Sequence, residues 1–147
     1  MRLVVGLIII SILGNSCGQT DAKSKNSPAS MQIPKDTSMF TSITWLDSTN
    51  RNYGNIAEGK KLEVAYRFLN SGNKPLIIAR VQPSCGCTVA EQPEEPIPPG
   101  KEGVIKASFN SEGRTGINNK TIYVMANTRG NQNNELRFSV VVQKKKW

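Results

Sequence analysis

The densest chemistry in this chain is the pair of thiols in Pro83-Ser84-Cys85-Gly86-Cys87-Thr88, two cysteines separated by one glycine. Three fates are open to such a pair. A disulfide between Cys85 and Cys87 closes a very small ring; Gly86 relieves part of the crowding, and a bond held away from relaxed geometry is more easily reduced. Alternatively, the two thiolates can converge on a soft ion such as copper(I), which prefers sulfur and accepts few ligands. Zinc suits the pair less, because a structural zinc site usually takes four protein ligands and this chain has no histidine to complete the set. The third fate is a loop staple, or a pair of half-buried thiols, holding the segment between Val81 and Val89 against the fold. Met125 or Met39 would be the thioether that completes a copper site, and Arg80 or Lys101 the cation that lowers a thiol pKa.

Several chemistries are excluded by composition. With no histidine among 147 residues, there is no Ser-His-Asp or Cys-His nucleophile, no HExxH zinc site and no imidazole proton shuttle. Glu91, Glu94 and Glu95 could imitate a catalytic carboxylate set, but they sit in or beside the proline-rich run QPEEPIPPG with no evident partner and read as a solvated turn. Pro99-Gly100-Lys101 lacks the spaced second glycine and the following Ser/Thr of a phosphate loop. The chain is therefore expected not to be an enzyme and to carry no cofactor, with copper(I) at Cys85 and Cys87 as the alternative. Its net charge of +8 is spread over Lys60, Lys61, Lys74, Lys101, Lys106, Lys120 and Lys144 to Lys146. No aromatic-interleaved basic cluster is present, so no nucleic-acid partner is expected.

The N-terminus reads as an export signal. Met1-Arg2 gives a positive start, and Leu3 to Leu13 (LVVGLIIISIL) is an apolar run of signal-peptide length, shorter than the roughly 20 residues a membrane span needs. Gly14-Asn15-Ser16 then places small residues before Cys17. That layout resembles the lipobox of bacterial lipoproteins, with Gly14 where leucine is usual and Leu13 one place earlier. The resemblance implies cleavage after residue 16 and lipid on Cys17, which would attach the chain to a membrane. From 17 to 40 the sequence is polar and rich in Ser, Lys, Asn and Pro, the composition of a flexible tether.

Beyond residue 40 the pattern is β throughout, and the rest of the chain, 41–147, is long enough for one small domain. Leu62, Val64, Tyr66 and Phe68 alternate with Glu63, Ala65, Arg67 and Leu69, the period of a half-buried strand. Similar runs at Thr41–Leu46, Pro75–Val81, Ile105–Phe109, Ile122–Ala126 and Leu136–Val142, together with Asn52–Ile56, are punctuated by turns at Glu58-Gly59-Lys60 and Ser71-Gly72-Asn73. About seven antiparallel strands with short turns predict an immunoglobulin-like β-sandwich. The loop carrying Cys85 and Cys87 then falls between strands.

Phe68-Leu69-Asn70-Ser71-Gly72, Pro75-Leu76-Ile77-Ile78, the SCGCT element at 84–88, Pro98-Pro99-Gly100 and Gly116…Asn119-Lys120-Thr121-Ile122 together resemble the bacterial family catalogued as domain of unknown function 1573. The likeness starts with Tyr53-Gly54-Asn55-Ile56 and runs from about Ser42 to Val142. It implies an immunoglobulin-like envelope lipoprotein and no particular activity. The expectation from sequence is a lipid-anchored interaction or structural module on the periplasmic or outer-membrane face, meeting a protein or glycan partner. A thiol–disulfide or copper-handling role for Cys85 and Cys87 is the alternative.

Overall fold

A computed structural model describes residues 31–145; the expected signal segment, Cys17 and the tether up to residue 30 lie outside the described residues. The alternating sequence folds into eight strands: β1 (Ile43–Trp45), β2 (Asn50–Ala57), β3 (Lys61–Asn70), β4 (Ile78–Pro83), β5 (Thr88–Glu91), β6 (Glu102–Asn110), β7 (Gly116–Ala126) and β8 (Asn133–Gln143). Two four-stranded sheets, ordered β1-β3-β6-β5 and β2-β8-β7-β4, enclose one core.

The sandwich is the expected one, with two differences in detail. The eighth strand is β5, whose four residues are too few to show a period in sequence. In addition, β2 runs parallel to β8, whereas the other pairs are antiparallel. The parallel pair follows from a change of sheet along one edge. After β1 has paired with β3, the chain crosses through residues 46–49 and joins β8 of the opposite sheet instead of folding back in a hairpin.

The inward residues are those the period selects. Val64, Tyr66 and Phe68 of β3, Ile105, Ala107 and Phe109 of β6, Ile122 and Val124 of β7, and Leu136, Phe138 and Val140 of β8 are buried in one cluster. Phe109 and Phe138 meet across the sheets edge to face, with centroids 6.1 Å apart. Tyr66 is fully buried and donates its hydroxyl hydrogen to the Arg137 carbonyl at 2.9 Å, satisfying its one polar group. Phe68 lies over its ladder partner Gly103, where an added Cβ would fall 2.4 Å from Cζ, so the ring covers the stretch of β6 that has no side chain.

Two buried asparagines close one end of the sandwich. Asn70 accepts from the Thr41 hydroxyl (2.9 Å) and the Gly72 amide (3.2 Å), and donates to the carbonyls of Lys74 and Ile97, both at 2.8 Å. Gly72 is required there because a Cβ would lie 2.1 Å from Thr41 Oγ1 and 2.6 Å from the Ser42 amide nitrogen. Asn127 accepts from the Ile77 amide and donates to the Met39 and Pro75 carbonyls. The described part of the run read as tether, 31–40, is thus fastened here: a short 3₁₀ turn, Thr37–Met39, is capped by Asp36, and Thr41 bridges to Thr128. This end is the N-terminal pole. The ten residues of β3 carry the fold about 30 Å to the other end, at ~3.3 Å per residue.

Candidate functional site at the cysteine pole

The opposite end is built where β4 leaves one sheet and β5 starts in the other. Ser84 is the last residue held by β7: its amide donates to the Thr121 carbonyl at 2.8 Å, and its hydroxyl accepts the Thr121 amide at 3.2 Å. Three residues then cross between the sheets before Thr88 pairs with Phe109. The Cys87 carbonyl accepts the Asn110 amide at 3.0 Å, and the Cys85 carbonyl accepts the Thr88 amide at 3.3 Å, closing a turn.

Within that turn Cys85 and Cys87 are joined as a disulfide, their Cα atoms 5.3 Å apart. Both sulfurs are engaged with each other, so copper(I) would bind only after the bond is opened. Cys87 is part of the buried cluster, and Cys85 packs against it half-exposed. Thr88 Oγ1 lies 3.7 Å from Cys85 Sγ and 4.0 Å from Cys87 Sγ.

A cation stands at this pole, though a different one from those expected. Lys120 places its ammonium 5.4 Å from the centroid of the Phe109 ring, and Phe109 is the ladder partner of Thr88. Burial pushes its pKa below the usual lysine value, and the charge of Arg114 adds to that. Sequence reading placed Lys120 among scattered surface lysines, because its approach to Phe109 depends on how the two sheets stack. Arg80 instead pairs with Met125 near the other end of β4 and β7. Lys101 gives its carbonyl to the Asn70 amide at the N-terminal pole, and Met39 binds Asn127 there. None of the four is placed beside the sulfurs. Glu91 is the ladder partner of Lys106, Glu94 and Glu95 are exposed, and no three His, Cys, Asp or Glu residues among those described are grouped to share a metal ion.

In the half of the sandwich that carries the disulfide, each sheet exposes one large apolar side chain on its outer face. Val89 is 64% exposed and Ile117 is 76% exposed, the highest values among the large hydrophobic side chains described. They lie on different sheets, both in the half of the sandwich nearest the cysteines. The β4 ladder ends at Pro83, and Ser84 still reaches Thr121, whereas β7 continues back to Gly116 with only β8 beside it. A short length of β7 backbone therefore flanks the disulfide without a strand on its outer side, and β5 is itself an edge.

Solved structures that resemble this fold do so at low sequence identity. A protein of unknown function from Porphyromonas gingivalis W83 aligns with TM-score 0.62 and 16% identity, over 72% of this chain and 49% of that one. The Vibrio cholerae protease VesB aligns at 0.56 and 9%, over 67% of this chain and 31% of its own. A PapD-like domain of human CEP192 aligns at 0.50 and 10%, over 100% and 99%. This chain thus spans about half of the first structure and less than a third of the second, and what it has in common with them is the fold. No curated protein matches its sequence. Over residues 43–142, from the first residue of β1 to the last but one of β8, the sequence matches a family model, and the chain belongs to that family: Protein of unknown function (DUF1573).

Proposed function

We propose that this chain is an exported envelope protein, acylated at Cys17, whose sandwich is a non-enzymatic contact module meeting a protein or glycan partner through its cysteine pole. The observation that carries the reading is the pair of open strand edges in the half that carries the disulfide, β5 and the start of β7, each bearing one exposed apolar side chain, Val89 and Ile117. These two, the most exposed large apolar side chains described, sit on the outer faces of different sheets, in the half of the sandwich away from the pole where the chain arrives. Exposed apolar groups beside open strand edges favour an extended protein segment as the partner, since edge backbone and alternate side chains can both be engaged. With no histidine in the sequence, Ser-His and Cys-His catalytic pairs and an imidazole proton shuttle are not open to it.

The anchor fits the same geometry. Fourteen residues lead from Cys17 to Met31 and reach at most about 50 Å when extended. More than one acyl chain, at ~0.8 kcal/mol per buried methylene, would hold the protein at the bilayer permanently. A tether of that reach leaves the sandwich, about 30 Å long, room to present its cysteine pole away from the membrane.

Two experiments test this. Cys17→Ala should move the protein from the membrane fraction to the soluble one, and a variant that stays in the membrane removes the anchor from the proposal. A photo-crosslinker at position 89 or at position 117 should give a discrete adduct in intact cells, while one at Glu102, at the N-terminal pole, should not. Adducts at Glu102 alone, or none at any position, would sink the docking role of the cysteine pole.

A further inference from the structure

The Cys85–Cys87 bond spans one intervening residue. The stabilisation a cross-link confers grows with the loop it closes, so a bond this local is a poor staple and its chemistry is the more informative property. Its two sulfurs are inequivalent, since Cys87 is 8% exposed within the core cluster while Cys85 is only partly covered. Thr88 is 5% exposed, and among the described residues its hydroxyl has the two sulfurs as its hydrogen-bond partners, at 3.7 and 4.0 Å. A buried O–H facing only sulfur is an under-used donor. It gains most when one sulfur becomes a thiolate, because a hydrogen bond to an ionised acceptor is about twice as strong as a neutral one. Lys120 contributes positive charge beside Phe109, with no carboxylate paired to it among the described residues.

We propose that the cysteine pole is a thiol–disulfide exchange site that passes its bond to a partner dithiol, with Cys85 the sulfur attacked and Cys87 the leaving thiolate. A partner thiolate forms an S–S bond to Cys85 Sγ as the Cys85–Cys87 bond breaks, and the electron pair of that bond goes to Cys87 Sγ. The Thr88 hydroxyl donates to this thiolate until it takes a proton from water. The partner's second thiol gives its proton to water and attacks its own partner sulfur in the mixed disulfide, releasing Cys85 as a thiolate that is protonated in turn. The partner has lost two electrons and two protons and become a disulfide, while Cys85 and Cys87 have gained both and become thiols. Attack on the sulfur of the less buried cysteine and departure of that of the more buried one are the steric outcome of the burial difference.

The test uses the full chain in its oxidised form. Reduced glutathione is added, the reaction is quenched with acid, free thiols are alkylated, and the modified residue is located by peptide fragmentation. Glutathione is expected on Cys85 alone. Reduction by dithiothreitol should outrun exchange of the core amides of Val124 and Val140, Thr88→Val should slow it about tenfold, and Thr88→Ser should stay near wild type. Glutathione on Cys87 or on both cysteines equally, reduction no faster than core opening, or a Thr88→Val rate equal to wild type would each overturn the proposal. If Thr88→Val does not fold, the position of glutathione on the unaltered chain decides the matter.

Discussion

Replacing Asn127 with alanine tests how the N-terminal pole is held. The Asn127 Oδ1 accepts the Ile77 amide at 2.7 Å, and Nδ2 donates to the carbonyls of Met39 at 2.9 Å and Pro75 at 3.0 Å, with the residue fully buried. Alanine leaves one amide donor and two carbonyls without these partners. An orphaned buried donor costs about 1–3 kcal/mol, and carbonyls, with two lone pairs each, cost less. The expected loss is about 3 kcal/mol, against the ~5–15 kcal/mol that typically holds a domain together. At about 2.1 cal/mol/K per residue over ~115 residues, the unfolding entropy is about 0.24 kcal/mol/K, so the melting temperature should fall by about 12 °C. Asn127→Asp separates charge from volume. Its carboxylate would still accept from Ile77 but would turn its other oxygen toward two carbonyls, raising its pKa above the unfolded value of about 3.9. A group raised in the folded state contributes its stability below the unfolded pKa and loses it as pH rises through the folded one, so this variant should approach wild type near about pH 4 and fall furthest behind near about pH 7. Urea unfolding followed by circular dichroism at both pH values measures this, and proteolysis within Met31–Phe40 reports the pole directly. The reasoning fails if Asn127→Ala stays within about 1 kcal/mol of wild type, or if the Asp variant tracks wild type at every pH.

Three further outcomes follow from other parts of the molecule. Reducing the Cys85–Cys87 bond in the otherwise unaltered protein should lower stability by only about 1.6 kcal/mol, the chain-entropy value for a loop of about three residues; urea titrations with and without a phosphine reductant check this, and a loss above about 4 kcal/mol would make the bond a principal staple. Gly103→Ala sets a methyl group against the Phe68 ring and should cost about 2 kcal/mol, partly recovered by adding Phe68→Leu; a double variant no better than the single one contradicts that packing. Burial raises the pKa of the Tyr66 hydroxyl, so its contribution is complete below about pH 10 and is lost as pH rises through the folded value. Tyr66→Phe, which gives up the bond to the Arg137 carbonyl, should cost about 1 kcal/mol at neutral pH and flatten the alkaline fall in calorimetric melting temperature.

What could be read in the sequence was whatever local periodicity encodes. The alternation of Leu62, Val64, Tyr66 and Phe68 places one face of β3 inward because successive side chains must point to opposite faces. The same rule found β6, β7 and β8. It could not find β5, which is short and is held only by its register with β6. Nor could it reveal that residues 31–40 dock at Asn127, since the attachment is hydrogen bonding by a polar residue more than eighty positions away. The candidate site divides in the same way. Cys85 and Cys87 stood out by spacing, and the SCGCT element includes Thr88 and Ser84, but the role of Ser84 appears only once β4 and β7 are paired, and that of Thr88 only once the turn brings both sulfurs to its hydroxyl. Lys120 entered through sheet stacking, whereas Arg80, Lys101, Met39 and Met125, chosen for their chemistry alone, are distributed along the sandwich far from the sulfurs.

The arrangement of the two poles also has a mechanical consequence. Tension between the N-terminal pole and the cysteine pole acts along β3, β7 and β8, across ladder bonds that lie perpendicular to the strands. Such bonds are loaded in shear and must fail many at a time, and β8 is gripped on both flanks by β2 and β7. The segment 31–41 is different, being pinned by a few bonds around Asn127 and Arg129 that can open one after another. Under load it peels first and pays out about 30 Å of chain while the sandwich stays intact, which makes this short stretch a mechanical fuse in series with the folded domain.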